Sequence, residues 1–248
     1  MELKGIDLSY SNGNVDWNKI KAHGIDFAII RMGYGTDNPN QVDKQFEANY
    51  RGAKSAGIPI GAYHYSYAYS VGEAEKEAQF ALKLLRGKKF EFPIFYDIEE
   101  DGHVKLPKSL CSDIVRTFCN ILEDENYWAG VYSFDSFFFY NLDENIPFRY
   151  TAWVAKTSGK PQYCKNYALW QNSWNGSIPG SSPKTDTNIC YKDFELLIKQ
   201  QGKNGFSEER DKNYTVKATS DFLNKNDALN LYSQLKDMGM TPEIIIKE

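Results

Sequence analysis

The order of apolar and polar positions predicts a regular alternation of strands and helices over the first half of the chain. Strand-like apolar runs lie at residues 3–9, 25–34, 58–69, 91–99 and 127–134. Stretches with the helical spacing of apolar residues separate these runs, at residues 16–23, 41–56, 72–86 and 107–126. Strands joined by helical connections of ten or more residues form right-handed parallel crossovers. At this chain length the alternation predicts an α/β fold, a closed β/α barrel of the TIM type.

The alternation fails after residue 135, which predicts an irregular end to the barrel. Strand candidates at residues 150–155, 166–172 and 189–198 follow one another, and no convincing helix separates them. We therefore expect a barrel that occupies residues 1–200 as one domain and is irregular in its last third.

The remaining residues predict a linker and a small second unit. Residues 201–213 are polar and contain two glycines, which is typical of a linker. Residues 214–248 show a strand, a helix with apolar spacing and a second strand, a β-α-β unit. Because about 35 residues bury too little apolar surface to be stable alone, we expect this unit to pack on the barrel or to pair with a second copy, giving a homodimer.

Composition and charge exclude several classes of protein. The 248 residues have a net charge of −4, so no positive field is available to attract nucleic acid or an anionic membrane surface. The hydrophobic fraction of 42% and the charged fraction of 25% are those of an ordinary folded protein. No apolar run approaches the roughly 18 residues that a membrane-spanning helix requires.

Cysteine spacing and the first residues bear on the cellular compartment. The four cysteines, at positions 111, 119, 164 and 190, form no C-x-x-C pair and no zinc-ligand pattern. They predict four free, mostly buried thiols in a protein made in a reducing compartment. Residues 1–7 already resemble a strand, with no charged and apolar leader before them. We expect synthesis in the cytoplasm without a signal peptide; the alternative is an exported protein whose leader has been removed.

The strand at residues 91–99 ends in acidic residues that share one face. Side chains alternate along a strand, so Asp97 and Glu99 point to the same side, with their Cα atoms about 6–7 Å apart. Two carboxyls this close separate in pKa, because the charge on one opposes ionisation of the other. Glycoside hydrolysis uses such a pair, one carboxyl as an acid and one as an anionic stabiliser. The alternative is a pair of solvated acids leading into a loop.

Two further acids have both a catalytic and a structural interpretation. Asp7 lies between Ile6 and Leu8 on the first strand, so it points away from those apolar residues and into the barrel. It could equally serve as a helix or turn cap. Asp186, taken by itself, is better explained as an Asx-turn residue.

Eight short motifs together resemble the glycoside hydrolase family 25 lysozymes, the Chalaropsis-type muramidases that include many phage endolysins. The resemblance covers residues 3–197, and the family has a flattened, irregular β/α barrel. The motifs, in the family's order, are Gly5-Ile6-Asp7-Leu8-Ser9, Val15-Asp16-Trp17, Phe27-Ala28-Ile29-Ile30-Arg31, Gly61-Ala62-Tyr63-His64-Tyr65, Asp97-Ile98-Glu99, Trp153-Val154-Ala155, Leu169-Trp170-Gln171 and Asp186-Thr187-Asn188.

The resemblance implies a role for each of the four acids. Glu99 matches the family's general acid, which protonates the oxygen leaving C1 of N-acetylmuramic acid. Asp97 matches the carboxylate that stabilises charge on the substrate, by orienting the 2-acetamido group so that its carbonyl attacks C1. Asp7 and Asp186 match the two acids that tune Glu99 and hold water or sugar.

The resemblance also implies substrate-binding residues. Tyr63 matches an aromatic residue at the cleavage subsite, and Trp153, Trp170 and Gln171 match positions that line the family's groove. One departure is Thr187, which replaces the usual aliphatic residue beside Asp186 and weakens that one assignment.

Two other polar residues lie on strands of the predicted barrel. His64 alternates with the neighbouring tyrosines and is expected to be a buried, hydrogen-bonded histidine rather than a catalyst. Arg31 is expected to pair either with a site acid or with another carboxylate inside the barrel.

The resulting expectation is a peptidoglycan β-1,4-N-acetylmuramidase that needs no metal and no cofactor. Its partner would be bacterial peptidoglycan, and it would be either a phage endolysin reaching the wall after membrane permeabilisation or a bacterial autolysin. The alternatives are a chitinase-like hydrolase, which would share the Asp-x-Glu strand end, and a wall-binding protein without activity. The family leans towards retention of anomeric configuration. Residues 214–248 resemble half of a sporulation-related repeat, a small peptidoglycan-binding module.

Overall fold

The structure, a computed structural model, describes residues 2–36, 38–182 and 184–207, together with Tyr232 and Lys236. The chain divides into two units, residues 1–209 and 210–248. The β-α-β unit expected at residues 214–248 lies outside the described residues, apart from those two single positions.

Eight strands form a closed barrel in sequence order. The strands are β1 (Leu3–Leu8), β2 (Phe27–Tyr34), β3 (Ile60–Tyr65), β4 (Ile94–Asp97), β5 (Ala129–Phe134), β6 (Thr151–Ala155), β7 (Leu169–Gly176) and β8 (Thr185–Cys190). Each pair of adjacent strands from β1 to β7 is parallel, whereas β8 is antiparallel to both β7 and β1. The barrel and its irregular last third are therefore confirmed, and the irregularity is the reversed eighth strand.

Seven α-helices accompany these strands within the described residues. They are α1 (Trp17–Ala22), α2 (Phe46–Ser55), α3 (Val71–Leu85), α4 (Lys108–Asp124), α5 (Asp135–Tyr140), α6 (Ile146–Arg149) and α7 (Phe194–Gln200). The sequence pattern did not distinguish the two short helices α5 and α6 from loop segments. The strand expected at residues 189–198 is wrong beyond Cys190, because the Asp193 side chain caps α7 by accepting the amide proton of Leu196 at 3.0 Å.

Aromatic rings fill most of the barrel interior below the acidic residues, and this layer is called the apolar floor. Phe27 and Phe92 stack with their centroids 4.4 Å apart, and Phe95 packs against Trp153 at 5.1 Å. The floor fits because Gly5 has no side chain: a Cβ there would lie 2.2 Å from the Phe27 ring. Polar groups above this floor consequently face little water on their inner side.

The described part of the expected linker packs on the barrel. Asn204 is fully buried, with its side chain donating to the Phe92 carbonyl at 2.8 Å and accepting from the Trp128 amide at 2.7 Å. Its backbone exchanges hydrogen bonds with Phe90 and Asn126. The described residues of this segment, 201–207, therefore pack on the barrel, and the rest of the expected linker lies outside the described residues.

Side chains on the outer faces of the strands pack against the helices. His64 is buried there, stacked on Phe118 and hydrogen-bonded through Nε2 to the Gly35 carbonyl at 2.8 Å. Burial lowers its pKa to about 3, so the ring is neutral and has the structural role that was expected. All four cysteines are buried and free, as predicted. Within the described residues, no helix has the length and apolar character needed to cross a membrane.

Candidate active site

Four carboxyl groups converge where the parallel strands end. Asp97 is the last residue of β4, and Glu99 follows two residues later. Asp7 on β1 lies directly opposite Asp186 on β8 in the strand register. Asp7 and Asp97 are 7% and 4% exposed, whereas Glu99 and Asp186 are half-buried. The mouth of the barrel thus contains a cluster of acids that opens to solvent on the side of Glu99 and Asp186.

Burial above the apolar floor raises the pKa of all four acids. The pKa of Glu99 rises to about 7, mainly through burial and then through the charges of Asp186 and Glu100. The pKa of Asp7 also rises to about 7, through burial and the charge of Asp186, and that of Asp186 rises to about 6 through burial. Burial, Glu99 and Asp7 hold the pKa of Asp97 well above its usual range. Near neutral pH the cluster therefore retains protons that free carboxyls would lose.

Two amide side chains stabilise the acids from β7 and β8. Gln171 donates to Asp7 at 2.9 Å and to Asp186 at 3.4 Å, while Asn188 donates to Asp7 at 2.7 Å. These donors lower the pKa of Asp7 and partly offset the effect of burial. The Asn188 carbonyl oxygen accepts from Trp153 Nε1 at 2.8 Å, which fixes the orientation of that amide.

The residues expected to bind substrate lie in different places. Tyr63 is half-buried in the barrel mouth, in edge contact with Trp153. Trp153 is only 1% exposed and lies below the acids, so it supports Asn188 and cannot line a groove. Trp170 is on the opposite face of β7 from Gln171, and its Nε1 donates to the Lys156 carbonyl at 2.8 Å. Gln171 is itself buried beneath the opening, so of these four Tyr63 is the one that lies half-buried at the mouth.

Trp174 is the aromatic residue of the mouth that the sequence analysis missed. Its indole is 44% exposed, and its Nε1 donates to Gln171 Oε1 at 2.9 Å. Simple alternation would place Trp174 on the opposite face from Gln171. The β7–β8 register shifts between Gln171 and Ser173, and this irregularity brings the indole to the inner side. No local sequence signal marks that shift.

Arg31 pairs with Asp43, a carboxylate outside the acid cluster, so the second of its two interpretations is correct. Its Nε donates to Asp43 at 2.8 Å, and its guanidinium lies over the Tyr10 ring at 4.9 Å. Its positive charge still reaches the cluster, where it lowers the pKa of Asp97 and of Tyr63 against the larger effect of burial. One oxygen of Asp97, Oδ1, is buried and has no hydrogen-bond partner within the described residues.

The arrangement provides a carboxyl that keeps its proton near neutral pH beside carboxylates that can stabilise positive charge. That combination suits protonation of a leaving oxygen together with stabilisation of an electron-poor carbon. In the part of the chain that the structure describes, no three His, Cys, Asp or Glu side chains are placed to hold a metal ion.

Comparison with known proteins gives a consistent match. Residues 6–181 match the profile of the glycosyl hydrolases of family 25. The chain is 29% identical over 187 residues to the autolytic lysozyme of Clostridium acetobutylicum, covering 74% of this chain and 54% of that protein. It is 27% identical over 207 residues to lysozyme M1 of Streptomyces globisporus, covering 75% of this chain and 67% of that protein.

A solved structure extends the similarity to three dimensions. The modular autolysin LytC from Streptococcus pneumoniae superposes with a TM-score of 0.69 at 25% sequence identity, over 77% of this chain and 47% of that chain. The chain thus spans about half the length of LytC and of the clostridial lysozyme.

Proposed function

The chain belongs to the glycosyl hydrolases of family 25, and on that premise we propose that it is a lysozyme acting on the bacterial cell wall. Its substrate is peptidoglycan, and the bond cleaved is the β-1,4 bond between N-acetylmuramic acid and N-acetylglucosamine. Support comes from the relatives described as lysozymes and autolysins, which match over about three quarters of this chain.

Glu99 is proposed as the general acid. A general acid must hold a proton at working pH and must be able to approach the leaving oxygen. Glu99 meets the first condition because its pKa is raised to about 7, and the second because its side chain is half-buried and reaches solvent. Its proton passes to the glycosidic oxygen as the bond from C1 to that oxygen breaks.

Asp97 is proposed to orient the 2-acetamido group of the substrate. Its side chain, at the end of β4 and two residues before Glu99, can accept the acetamido N–H, which turns the acetamido carbonyl oxygen towards C1. That oxygen forms a bond to C1 as the leaving group departs. Water then attacks C1, the bond to the acetamido oxygen breaks, and Glu99 takes a proton from the water, so the anomeric configuration is retained.

Asp7 and Asp186 are proposed to set the charge around the reaction. Asp186 is the first charge that raises the pKa of Glu99 after burial, and Asp7 is among those that raise the pKa of Asp97. Their negative charge favours the protonated acid before the reaction and the positive charge that develops at C1 during it.

The observation that supports this proposal most strongly is the convergence of four acids, with Glu99 reaching solvent, at the mouth of a family 25 barrel. We expect Glu99→Gln to lower the rate of reducing-end release from purified cell walls by at least about a thousandfold, because the leaving oxygen would no longer be protonated. We expect Asp97→Asn to cost nearly as much. Circular dichroism should show both variants folded.

Asp101→Asn is the matched control, since Asp101 is an exposed acid two residues beyond Glu99. It should retain wild-type activity. Near-normal lysis by a folded Glu99→Gln variant would contradict the proposed role of Glu99. If the wild-type protein hydrolyses soluble chitooligosaccharides and leaves peptidoglycan intact, the chitinase-like alternative is correct instead.

A further inference from the structure

The amide of Gln171 makes four hydrogen bonds inside the barrel mouth. Its Nε2 donates to Asp7 at 2.9 Å and to Asp186 at 3.4 Å. Its Oε1 accepts from the Tyr132 hydroxyl at 2.8 Å and from Trp174 Nε1 at 2.9 Å. Both amide protons and both oxygen lone pairs are therefore used, and the side chain is 2% exposed.

The orientation of this amide is fixed by the chemistry of its neighbours. An indole N–H can only donate, so the atom facing Trp174 must be the carbonyl oxygen. Because the oxygen faces Trp174 and the Tyr132 hydroxyl, the nitrogen faces Asp7 and Asp186 and donates to both. If the amide were flipped, its nitrogen would face the donors of Trp174 and Tyr132, and its oxygen would face the carboxyl oxygens. These contacts exclude the flipped orientation.

The two carboxyls that Gln171 contacts would otherwise repel each other. Asp7 and Asp186 lie directly opposite on adjacent antiparallel strands, where like charges are destabilising. A shared donor favours their ionised forms, because an N–H stabilises a carboxylate more than a neutral carboxyl. Asn188 gives a second donor to Asp7, whereas Gln171 is the side-chain donor that the structure describes for Asp186.

We propose that Gln171 is a positioning residue: its amide holds Asp7 and Asp186 side by side as carboxylates, and their negative charge keeps the proton on Glu99. This inference rests on the proposed function, in which Glu99 acts as the acid. It gives Gln171 a role different from lining the groove, since its side chain lies beneath the opening and contacts the acids.

The groups that surround Gln171 support the direction of this effect. The charge of Asp186 raises the pKa of Glu99, and Gln171 itself lowers the pKa of Asp7. Asp97 from β4 belongs to the same cluster, where burial, Glu99 and Asp7 raise its pKa, and Arg31 from β2 adds a positive charge. Tyr132 from β5 remains neutral because its pKa is raised well above its usual range. Losing the Gln171 donors should therefore shift protons from Glu99 towards Asp7 and Asp186.

The direct test is a carboxyl titration by NMR on the full chain, comparing the wild type with Gln171→Met. Methionine matches the length of glutamine and can donate no hydrogen bond. We expect the titration midpoints of Asp7 and Asp186 to rise by about one pH unit and that of Glu99 to fall. Thr187→Val is the control, because it removes a hydrogen bond to Asn172 between the same two strands on their outer face; its midpoints should match the wild type.

The kinetic test follows the rate of wall lysis against pH. Glu99 must be protonated to act, so activity falls as the pH rises through its pKa. In Gln171→Met this alkaline limb should move to lower pH, whereas a merely structural loss would lower the rate at all pH values equally. If Gln171→Met fails to fold, Gln171→Asn serves in both tests, since its shorter amide cannot reach both carboxyls.

The two tests separate this inference from the proposed function. A folded variant whose carboxyl midpoints are unchanged would overturn the role of Gln171, whatever the enzyme's substrate. If the midpoints of Asp7 and Asp186 move but the alkaline limb of the pH–activity profile does not, the carboxylate pair does not control the protonation of Glu99. If wild-type protein fails to lyse walls while the midpoints shift as expected, the proposed function fails and the positioning role of Gln171 stands.

Discussion

The acids of the site lie in an environment that opposes their ionisation. Asp97 is nearly fully buried above the aromatic floor, and one of its oxygens has no partner. An ionised carboxyl in such a place costs folding free energy. Enzymes accept this cost where a perturbed acid is needed for chemistry, so the destabilised carboxyl is itself a mark of the site.

Replacing Asp97 should consequently stabilise the fold. The folded-state pKa of Asp97 is raised above its unfolded value near 4, so the group favours folding only below about pH 4 and loses that contribution as the pH rises. We expect Asp97→Asn to raise the free energy of unfolding at pH 7 by at least about 1 kcal/mol, since one pKa unit corresponds to about 1.4 kcal/mol.

Urea denaturation at pH 4 and pH 7 checks this expectation. The difference between Asp97→Asn and the wild type should be small at pH 4 and larger at pH 7. A variant less stable than the wild type at pH 7 would show that the carboxylate is stabilised by contacts other than those described.

At the residue scale, strand alternation was sufficient to place three of the four acids. Asp7 and Asp97 point inward because the residues on either side of each are apolar and face the helices, and Glu99 continues the same alternation past the end of β4. Asp186 could not be placed in this way, because the strand predicted at residues 189–198 begins after it and only the family resemblance indicated it. The amide contacts that unite the acids depend on strands far apart in sequence.

At the element scale, the β7–β8 hairpin accounts for most of what the sequence analysis missed. The reversed strand β8 faces Asp186 and Asn188 inward, and the register shift in β7 turns Trp174 inward. A parallel-barrel pattern predicts neither feature. Trp153 and Trp170 were placed by resemblance to motifs, and a motif match does not state which side of a strand a ring occupies.

The segment after α7 also departs from its sequence pattern, and Asn204 explains why. Its four hydrogen bonds join the segment to the start of β4 and β5, and its backbone takes the left-handed conformation at a φ of 54°, which asparagine tolerates. The segment is held by hydrogen bonds of polar groups, so its sequence has no periodic pattern of apolar residues. For that reason a polar stretch with glycines resembles a linker.

Asn204→Ala should therefore destabilise the barrel. Losing two buried side-chain hydrogen bonds leaves the Trp128 amide and the Phe92 carbonyl unsatisfied, at a cost of about 2–4 kcal/mol. Chemical denaturation measures this change. Gln201→Ala is the control, because Gln201 is exposed in the same segment; equal stability of the two variants would mean that the segment is not part of the cooperative fold.

At the scale of the whole molecule, exposed apolar side chains concentrate at one end of the barrel. Among the described residues, most large exposed apolar side chains either follow the ends of strands β1 to β6 or lie on the outer part of β7. They are Tyr10, Tyr67, Tyr69, Val104, Phe139, Tyr140, Tyr163 and Trp174. Phe148 and Leu196 lie at the opposite end. Aromatic faces pack well against sugar rings, so this distribution favours the acid end as the glycan-binding face.

Trp174→Ala should weaken the binding of wall glycan. We expect the KM for purified peptidoglycan to rise about tenfold, which corresponds to about 1.4 kcal/mol of lost contact. Phe148→Ala is the matched control, since Phe148 is 76% exposed at the far end and should leave KM unchanged. Similar effects of both substitutions would show that exposed aromatics act on this substrate without regard to position.

The direct pairing of β1 with β8 has a consequence for when activity can arise. Asp7 belongs to the first strand and Asp186 to the last, so the set of four acids is complete only after the ring of strands has closed. During synthesis, which proceeds from the amino terminus, a chain that has not yet reached Asp186 holds Asp7, Asp97 and Glu99 without their fourth member. Under the proposed mechanism, hydrolytic activity therefore requires the closed barrel, and incomplete chains released during synthesis lack it.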